Sequence, residues 1–144
     1  MKAHLTRRYW FPASHRLHSR RMSAAENRRT YGKCNNPHGH GHNYALEVTV
    51  AGPVVPRTGM VCDIVELDGF VSRQVLEPFG CSNLNRLEPF RKKVPTTENL
   101  CIEIYNRLEG GFDAARVEKV RLEETMLNAF EYAGDNDLRR REDR

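Results

Sequence analysis

An alternating run of apolar and polar residues between Tyr44 and Val50 is the feature that most constrains the fold of this chain. The run is rich in β-branched residues, and alternation with a period of two predicts a strand that buries one face. Continued backwards, the alternation places His40 and His42 on the face of Tyr44, because every second side chain of a strand points to the same side. We therefore predict a strand from about His42 to Ala51, at whose start two imidazoles converge.

The two histidines at the start of this strand indicate a metal site. Glycines flank both of them and leave the backbone free of side-chain bulk. His15, at the end of an earlier predicted strand, is the best candidate for a third imidazole, and it would complete the three-ligand pattern typical of catalytic zinc. A His-x-His pair is also a common surface feature, so the spacing alone leaves an ordinary surface role open.

Cys34 lies six residues before His40 and is a candidate reactive thiol. A nearby divalent cation and Lys33 would lower its pKa and raise the fraction of thiolate. The other three cysteines show no paired spacing, and the first residues of the chain lack the apolar core of a signal peptide. We therefore expect free thiols in a reducing cytoplasm.

The formal net charge of +4 is modest, and the basic residues are scattered along the chain rather than gathered on one helix. This distribution favours a small anionic ligand over a nucleic acid. No stretch approaches the roughly 18 apolar residues of a membrane span. We therefore expect a small-molecule ligand, with no nucleic-acid partner and no membrane partner.

Periodicity predicts the remaining elements. An aromatic, β-prone segment predicts a first strand over residues 3–14, and a polar segment predicts a loop over residues 17–37. Two helices follow, because apolar residues recur at helical spacing between Ile64 and Val75 and again between Leu100 and Leu108. Asp63 is well placed to cap the first helix, the second begins at Thr96–Asn99, and Gly110–Gly111 end it. Two final strands are predicted over residues 117–124 and 126–132.

The predicted order of elements is β-β-α-α-β-β, without an internal repeat. This order predicts an α+β fold in which one antiparallel sheet carries both helices on one face. The length of 144 residues indicates a single domain over residues 1–134. The charged residues 135–144 are predicted to form a disordered tail. A sheet this small has two exposed edges, and oligomerisation is a natural way to cover them.

Five separated motifs carry a further signal, and they are Phe11–Leu17, Tyr31–Tyr44, Thr58–Val61, Pro95–Asn99 and Glu123–Thr125. Together they resemble the 6-pyruvoyltetrahydropterin synthase family, in the family's order, over about residues 5–134. The resemblance implies the tunnelling fold (T-fold), in which trimers close their sheets into a barrel and two trimers stack into a hexamer with pterin pockets at subunit interfaces. It also implies that His15, His40 and His42 hold zinc (Zn2+).

The resemblance implies a lyase that acts on 7,8-dihydroneopterin triphosphate and releases triphosphate. Five residues, Asn35 to Gly39, separate Cys34 from His40. In the family this spacing is typical of enzymes that form 6-pyruvoyltetrahydropterin for tetrahydrobiopterin biosynthesis. A shorter spacing is frequent in the 6-carboxytetrahydropterin synthases of queuosine biosynthesis. The pyruvoyl product is therefore the first expectation, and the carboxy product is the alternative.

The same resemblance implies contacts with the substrate. Glu124 matches the family's pterin-anchoring glutamate and would accept two hydrogen bonds from the amino-pyrimidinone edge, although an ordinary strand-end charge is the other interpretation. Thr96 and Thr97 would contact the pterin, and a helix N-cap is an alternative explanation for one of them. Lys33 and Arg16 are candidates for contacts with the triphosphate, and a solvated surface role is equally open for both.

One motif of the family is broken in this chain. Members normally carry Asp-His between the two helices, and that His works with the cysteine as a proton relay. Gly80 and Cys81 stand at these positions, where a glycine cannot orient a base and a thiol is a poorer relay near neutral pH. Either Cys34 transfers protons with His38 or Cys81 as a replacement partner, or the chain is a pterin-binding family member with weakened catalysis.

Overall fold

A computed structural model describes residues 2–135, and a five-stranded sheet forms its centre. The strands are β1 (Lys2–His15), β2 (His40–Pro53), β3 (Ser82–Asn83), β4 (Arg116–Thr125) and β5 (Asn128–Tyr132), in the spatial order β3-β1-β2-β4-β5. The neighbours among β1, β2, β4 and β5 pair antiparallel, as predicted. The two-residue β3 is the exception, because it pairs in parallel with Ala13 and Ser14 and makes the sheet mixed.

The α-helices are α1 (Ala24–Tyr31), α2 (Ile64–Val71), α3 (Glu77–Phe79) and α4 (Thr97–Leu108). Asp63 caps α2 as predicted, because its side chain accepts hydrogen bonds from the backbone N–H groups of Val65 and Glu66. A π-helical turn, Ser72–Leu76, joins α2 to α3. Pro78 follows this turn and has no N–H to donate, which is a common cause of such an irregularity in a helix.

The prediction of a loop without helices over residues 17–37 is wrong. The segment contains α1 and a 3₁₀ turn, Gly32–Asn35. A capping box begins α1, since the side chains of Ser23 and Glu26 each accept a hydrogen bond from the other residue's backbone N–H. The buried amide of Asn27 also bonds the backbone of Ser19 in both directions. Polar side-chain bonds hold the segment, and hydrophobic periodicity does not detect them.

One face of the sheet carries the apolar core. Alternate residues of β1 and β2, from Tyr9 to Ala13 and from Tyr44 to Val50, are buried together with the apolar residues of α2 and α4. The long helices therefore lie on the same side of the sheet, which confirms the predicted α+β class and the predicted position of the helices. On the opposite face Trp10 keeps 63% of its surface exposed.

The bounds of the outer elements differ slightly from the predicted ones. The strand β2 begins two residues earlier, at His40, and Met126 and Leu127 form the turn before β5 rather than its first residues. Met1 and residues 136–144 lie outside the described residues, so the disordered tail and the single-domain boundary stay predictions. None of the helices within residues 2–135 has the length and apolar character of a membrane span.

Candidate metal centre

Strand register brings the three predicted histidines together. The strands β1 and β2 pair so that His15 lies opposite His40 and Ala13 lies opposite His42. The Nε2 atom of His15 is 3.2 Å from the Nε2 atoms of both other histidines, and the ring centroids are 4.7–4.9 Å apart. Antiparallel pairing therefore adds a third imidazole to the two that the His-x-His motif aligns locally.

His15 is held in a form that can bind a metal. Its side chain is buried, and its Nδ1 donates a hydrogen bond to the carbonyl oxygen of Pro95 at 2.9 Å. Because Nδ1 carries the proton, Nε2 presents its lone pair to His40 and His42. Burial lowers the pKa of His15, and it lowers the pKa of His42 despite the opposing charge of Glu124. Both rings are therefore neutral near neutral pH, as metal ligands must be.

A carboxylate completes the cluster. One oxygen of Glu124 lies 2.9 Å from Nε2 of His42 and 3.9 Å from Nε2 of His15. Its other oxygen accepts a hydrogen bond from the hydroxyl of the buried Thr97. One potential ligand atom from each of these residues and His40 lies within 4.8 Å of the others. Three imidazole nitrogens and an oxygen fit zinc and similar divalent cations, and we call His15, His40, His42 and Glu124 the metal group.

The position of Glu124 adds to the role predicted for it. The sequence predicts a pterin anchor, whereas the structure places the carboxylate against the histidines as a fourth potential ligand. Each carboxylate oxygen accepts up to about two hydrogen bonds, so some acceptor capacity remains. Thr96, a predicted pterin contact, accepts a hydrogen bond from the Asn99 N–H at 3.2 Å and caps α4. The cap is therefore Thr96, while the neighbouring Thr97 contacts the metal group.

Cys34 lies in the 3₁₀ turn before β2 and lines a cavity of about 740 Å³. His40, Lys33 and Arg16 line the same cavity, so the thiol shares a space with one member of the metal group and two cations. Burial raises the pKa of Cys34, and the negative charge of Glu124 raises it further. In the metal-free protein Lys33 does not outweigh these two effects, and the prediction that a divalent cation and Lys33 together lower the pKa of Cys34 stays a prediction.

The two predicted replacements for the proton relay do not line the cavity of Cys34. His38 and Cys81 are both exposed, and neither lines the cavity that contains Cys34. Cys81 lines a different cavity of about 490 Å³, next to β1 and the start of β2. Within residues 2–135 of one chain, the structure thus joins the thiol with the metal group but not with these partners. We call Cys34, His38 and Cys81 the proton-transfer group.

The backbone at Gly80 disfavours the acid that the family motif carries there. A Cβ atom on Gly80 would overlap the carbonyl oxygen of Leu76, which belongs to the π-helical turn. Cys81 has a φ of 55°, in the left-handed region that favours glycine. Its N–H donates a hydrogen bond to the carbonyl oxygen of Pro12 at 2.6 Å, which fixes this turn against β1. The loss of Asp-His is therefore accompanied by a backbone that would have to shift to accept Asp.

The two predicted triphosphate contacts differ in how firmly they are held. Arg16 follows His15 in the chain. The side-chain amide of Asn85 forms two hydrogen bonds with the backbone of Arg16: it accepts one from the N–H at 2.7 Å and donates one to the carbonyl oxygen at 2.8 Å. Its Nε donates to the carbonyl oxygen of Asn35 at 3.2 Å. Lys33 is exposed and lines the Cys34 cavity. Arg16 is the better positioned cation of the two.

Sequence reasoning missed several residues that hold the site in place. Pro95 orients His15 from 80 residues away, and a backbone carbonyl leaves no signal in the residue type. Asn35 lies in the segment predicted as loop, yet it is buried and donates a hydrogen bond to the carbonyl of Leu17 at 2.7 Å. Asn35 directly follows the predicted site residue Cys34, and this adjacency was the available signal for it.

The fold and the site together define a protein of the α+β class in which three imidazoles and a carboxylate could hold a metal ion, and in which a thiol lines a cavity together with one of these imidazoles. The chain belongs to the 6-pyruvoyl tetrahydropterin synthase family, whose model matches residues 4–135. This match confirms the resemblance that the five sequence motifs carry.

Named relatives match nearly the whole chain. The 6-pyruvoyl tetrahydrobiopterin synthase of Poecilia reticulata is 42% identical over 92% of this chain and 90% of that protein. The protein of the same name from Homo sapiens is 40% identical over 93% of both chains. The solved structure of Caenorhabditis elegans 6-pyruvoyl tetrahydropterin synthase is 40% identical, with a TM-score of 0.88 over 94% of this chain and 97% of that one. The similarity therefore extends over nearly the whole chain and its fold.

Proposed function

We propose that the protein is a zinc-dependent lyase that converts 7,8-dihydroneopterin triphosphate to 6-pyruvoyltetrahydropterin with release of triphosphate. The observation that carries this proposal is the convergence of His15, His40 and His42 next to the cavity of Cys34. The five-residue spacing between Cys34 and His40 supports the pyruvoyl product. Relatives named 6-pyruvoyl tetrahydrobiopterin synthase, which match most of the chain, support the same reaction.

Zinc is the proposed ion, because three imidazoles, one of them buried, with a nearby carboxylate are a donor set that zinc favours. Bound there, the ion would act as a Lewis acid that stabilises charge as a carbon of the substrate side chain loses its proton. The chain itself keeps His15 in one tautomer through Pro95 and keeps His15 and His42 neutral through burial. These contacts orient the ligands before the substrate arrives.

In this proposal Cys34 moves protons at its Sγ atom. The reaction breaks the carbon–oxygen bond to the triphosphate and moves hydrogen from the side chain to the dihydropterin ring. Since the side chain is oxidised while the ring is reduced, the two changes cancel within one molecule and no external redox cofactor is needed. Burial and the charge of Glu124 raise the pKa of Cys34 in the metal-free protein, whereas the charge of a bound cation would lower it, so the thiolate would accept the proton that the substrate carbon loses.

Substrate contacts are proposed for residues on both sides of the metal group. Glu124 has only 12% of its side chain exposed, and a carboxylate in such a setting forms strong hydrogen bonds with N–H donors, such as the amino-pyrimidinone edge of a pterin. Thr96 and Thr97 are the proposed neighbours of that edge. Arg16 and Lys33 line the Cys34 cavity and are the proposed contacts of the phosphate nearest the pterin side chain.

We propose a homohexamer of two trimers, with the sites at subunit interfaces. Trp10 on the open face of the sheet and Met126 and Leu127 in the β4–β5 turn are exposed apolar residues that such an assembly would cover. Cys81 and Cys34 line different cavities of one chain. In such an assembly Cys81 of one copy would lie next to Cys34 of a neighbouring copy.

A second candidate function is pterin binding with weakened catalysis. The observation that favours it is the pair Gly80–Cys81, because the backbone at Gly80 leaves no room for the acid of the usual relay. A 6-carboxytetrahydropterin synthase of queuosine biosynthesis, acting on the same substrate, is the alternative product class. The spacing between Cys34 and His40 supports the pyruvoyl product over the carboxy product.

Product analysis tests these candidates. The zinc-loaded protein is incubated with 7,8-dihydroneopterin triphosphate, the pterins are identified by mass and the released triphosphate is assayed. We expect 6-pyruvoyltetrahydropterin together with an equal amount of triphosphate. Formation of 6-carboxytetrahydropterin would replace the proposed product by the alternative. Tight pterin binding without release of triphosphate would establish a pterin-binding protein. If the protein showed no pterin binding and no turnover, all three candidate functions would be excluded.

A cytoplasmic location is proposed from the state of the cysteines. Cys34, Cys62, Cys81 and Cys101 are all free thiols in the structure. Burial raises the pKa of Cys101 to about 12, so this thiol has a packing role and little reactivity. Four unpaired thiols are typical of a protein kept in a reducing compartment.

A further inference from the structure

A concave surface next to the metal centre carries six positive side chains. Arg16, Arg20, Arg21, Arg91, Lys92 and Lys93 line a cavity of about 700 Å³. No carboxylate lines this basic cavity, and among the residues that the structure describes none of the six cations forms a salt bridge. The net charge of the whole chain is only +4, so positive charge is concentrated here.

Unpaired like charges on a concave surface favour an anionic ligand. The protein around such a cavity focuses the field, and repulsion among the cations is relieved when a ligand of opposite charge binds. The arginine guanidinium groups can bind phosphate oxygens in pairs, and the lysines add point charges. Four arginines and two lysines match a ligand that carries several phosphates better than one that carries a single carboxylate.

The two walls of the basic cavity are connected to the metal centre. Arg16 follows the metal-group residue His15, and Lys93 lies two residues before Pro95, whose carbonyl orients His15. Arg16 and His18 also line the neighbouring cavity that contains Cys34 and His40. The two cavities are therefore neighbours that share Arg16 and His18.

We propose that the basic cavity binds a triphosphate group, as part of the substrate or as the released product. The identity of this ligand rests on the proposed function. The inference goes beyond that function because it assigns Arg20, Arg21, Arg91, Lys92 and Lys93 to the triphosphate, whereas Lys33 and Arg16 alone were candidates from the sequence. Arg16 lies between the two cavities and would contact the phosphate nearest the reacting carbon.

Calorimetric titration of the full chain with inorganic tripolyphosphate tests the site without a pterin. The double variants Arg20→Gln/Arg21→Gln and Lys92→Gln/Lys93→Gln are each expected to weaken binding by about tenfold. The control Arg57→Gln/Arg73→Gln removes two positive charges that do not line the cavity, and it should change the affinity by less than about twofold. Absence of tripolyphosphate binding to the wild type, or an equal loss in the control, overturns the proposal.

Steady-state kinetics distinguish the two sources of the triphosphate. If the substrate's triphosphate binds in the cavity, the cavity variants raise KM for dihydroneopterin triphosphate by about tenfold, while the affinity for dihydroneopterin, which has no phosphate, is unchanged. If only the released product binds there, KM is unchanged and inhibition by tripolyphosphate is lost. Thermal melting shows whether each variant is folded.

The same measurements separate this inference from the proposed function. Binding of tripolyphosphate through these residues in a protein without turnover would support the cavity and overturn the function. Normal turnover with no effect of the cavity variants on KM or on tripolyphosphate inhibition would support the function and overturn the cavity.

Discussion

The metal group and the proton-transfer group are held in different ways. Three residues of the metal group lie on the paired strands β1 and β2, and the ring of His15 is fixed by Pro95. Cys34 lies in a 3₁₀ turn, and His38 and Cys81 are exposed residues outside the strands. The sheet therefore positions one group, whereas short turns position the other.

This difference shows which parts of the site tolerate change. A shift of one residue in strand pairing would turn every side chain to the other face, so the register specifies the ligand positions strongly. Turns outside the sheet depend on a few hydrogen bonds, and a change such as Gly80–Cys81 can accumulate there while the sheet is preserved. We therefore expect metal binding to survive changes that abolish turnover.

Removal of a histidine ligand should have the largest effect, because it disrupts the group that the sheet holds. In His15→Ala we expect the affinity for zinc to fall by more than about 100-fold, and turnover to be lost with it. Zinc content after dialysis and equilibrium titration measure this effect. His4→Ala removes an exposed histidine from the same strand and should keep full zinc content. Full zinc occupancy in His15→Ala would place the metal at another position.

Removal of the thiol should separate the two groups. In Cys34→Ala we expect kcat to fall by about 10²–10⁴-fold, because the loss of a general acid or base typically has an effect of this size. Zinc content should stay at the wild-type level, since Cys34 does not belong to the metal group. Turnover and zinc content are measured on the same preparation. Loss of zinc together with activity would indicate that the thiol is a metal ligand.

Restoring the acid of the family motif should destabilise the turn instead of repairing the proton-transfer group. In Gly80→Asp the new Cβ overlaps the carbonyl of Leu76, and we expect the free energy of unfolding to fall by about 1–3 kcal/mol without a gain in kcat. Denaturant unfolding and turnover measure this. Cys81→His is the control for stability. It should unfold with the free energy of the wild type, because His tolerates a positive φ better than most residues. A Gly80→Asp variant that is as stable as wild type and more active would contradict this account.

The two groups should limit the stability of the metal-free protein at opposite ends of the pH range. Burial lowers the pKa of His15 and His42, so the folded state binds fewer protons than the unfolded state, and stability is lost as pH falls below about 6.5. Burial and Glu124 raise the pKa of Cys34, so its contribution is present below about pH 9 and lost above it.

Thermal melting of chelator-treated protein across this pH range measures both effects. Cys34→Ala should reduce the loss of stability on the alkaline side, to which Cys62 and Cys101 also contribute because burial raises their pKa values, and should leave the acid side unchanged. A change on the acid side alone would contradict the assignment of the two ends.

Removal of His38 should have the smallest effect. Its side chain is exposed and does not line the Cys34 cavity, so we expect His38→Ala to change kcat by less than about threefold. Steady-state turnover, with zinc content as the check on the metal group, measures this. A loss of tenfold or more at unchanged zinc content would make His38 the replacement relay.

Most of the fold was predictable because burial leaves a pattern in the order of residues. The long strands and the helices α2 and α4 each bury one face, and their periodicity predicted them and the α+β class. The helix α1 was missed because a capping box and the buried Asn27 stabilise it in place of an apolar stripe; the Ser23–Glu26 pair was its sequence signal. The two residues of β3 are too few to show a period.

The sequence by itself determined the candidate ligands His40 and His42 and the nearby thiol Cys34, because side-chain direction in a strand and spacing along the chain are local properties. Only the tertiary structure decided that Glu124 joins the histidines, that Pro95 orients His15, and that basic residues from two distant segments line one cavity. The physical reason is that these contacts join residues up to 109 positions apart, as His15 and Glu124 are. Strand register and packing set such contacts, and no local pattern in the sequence records them.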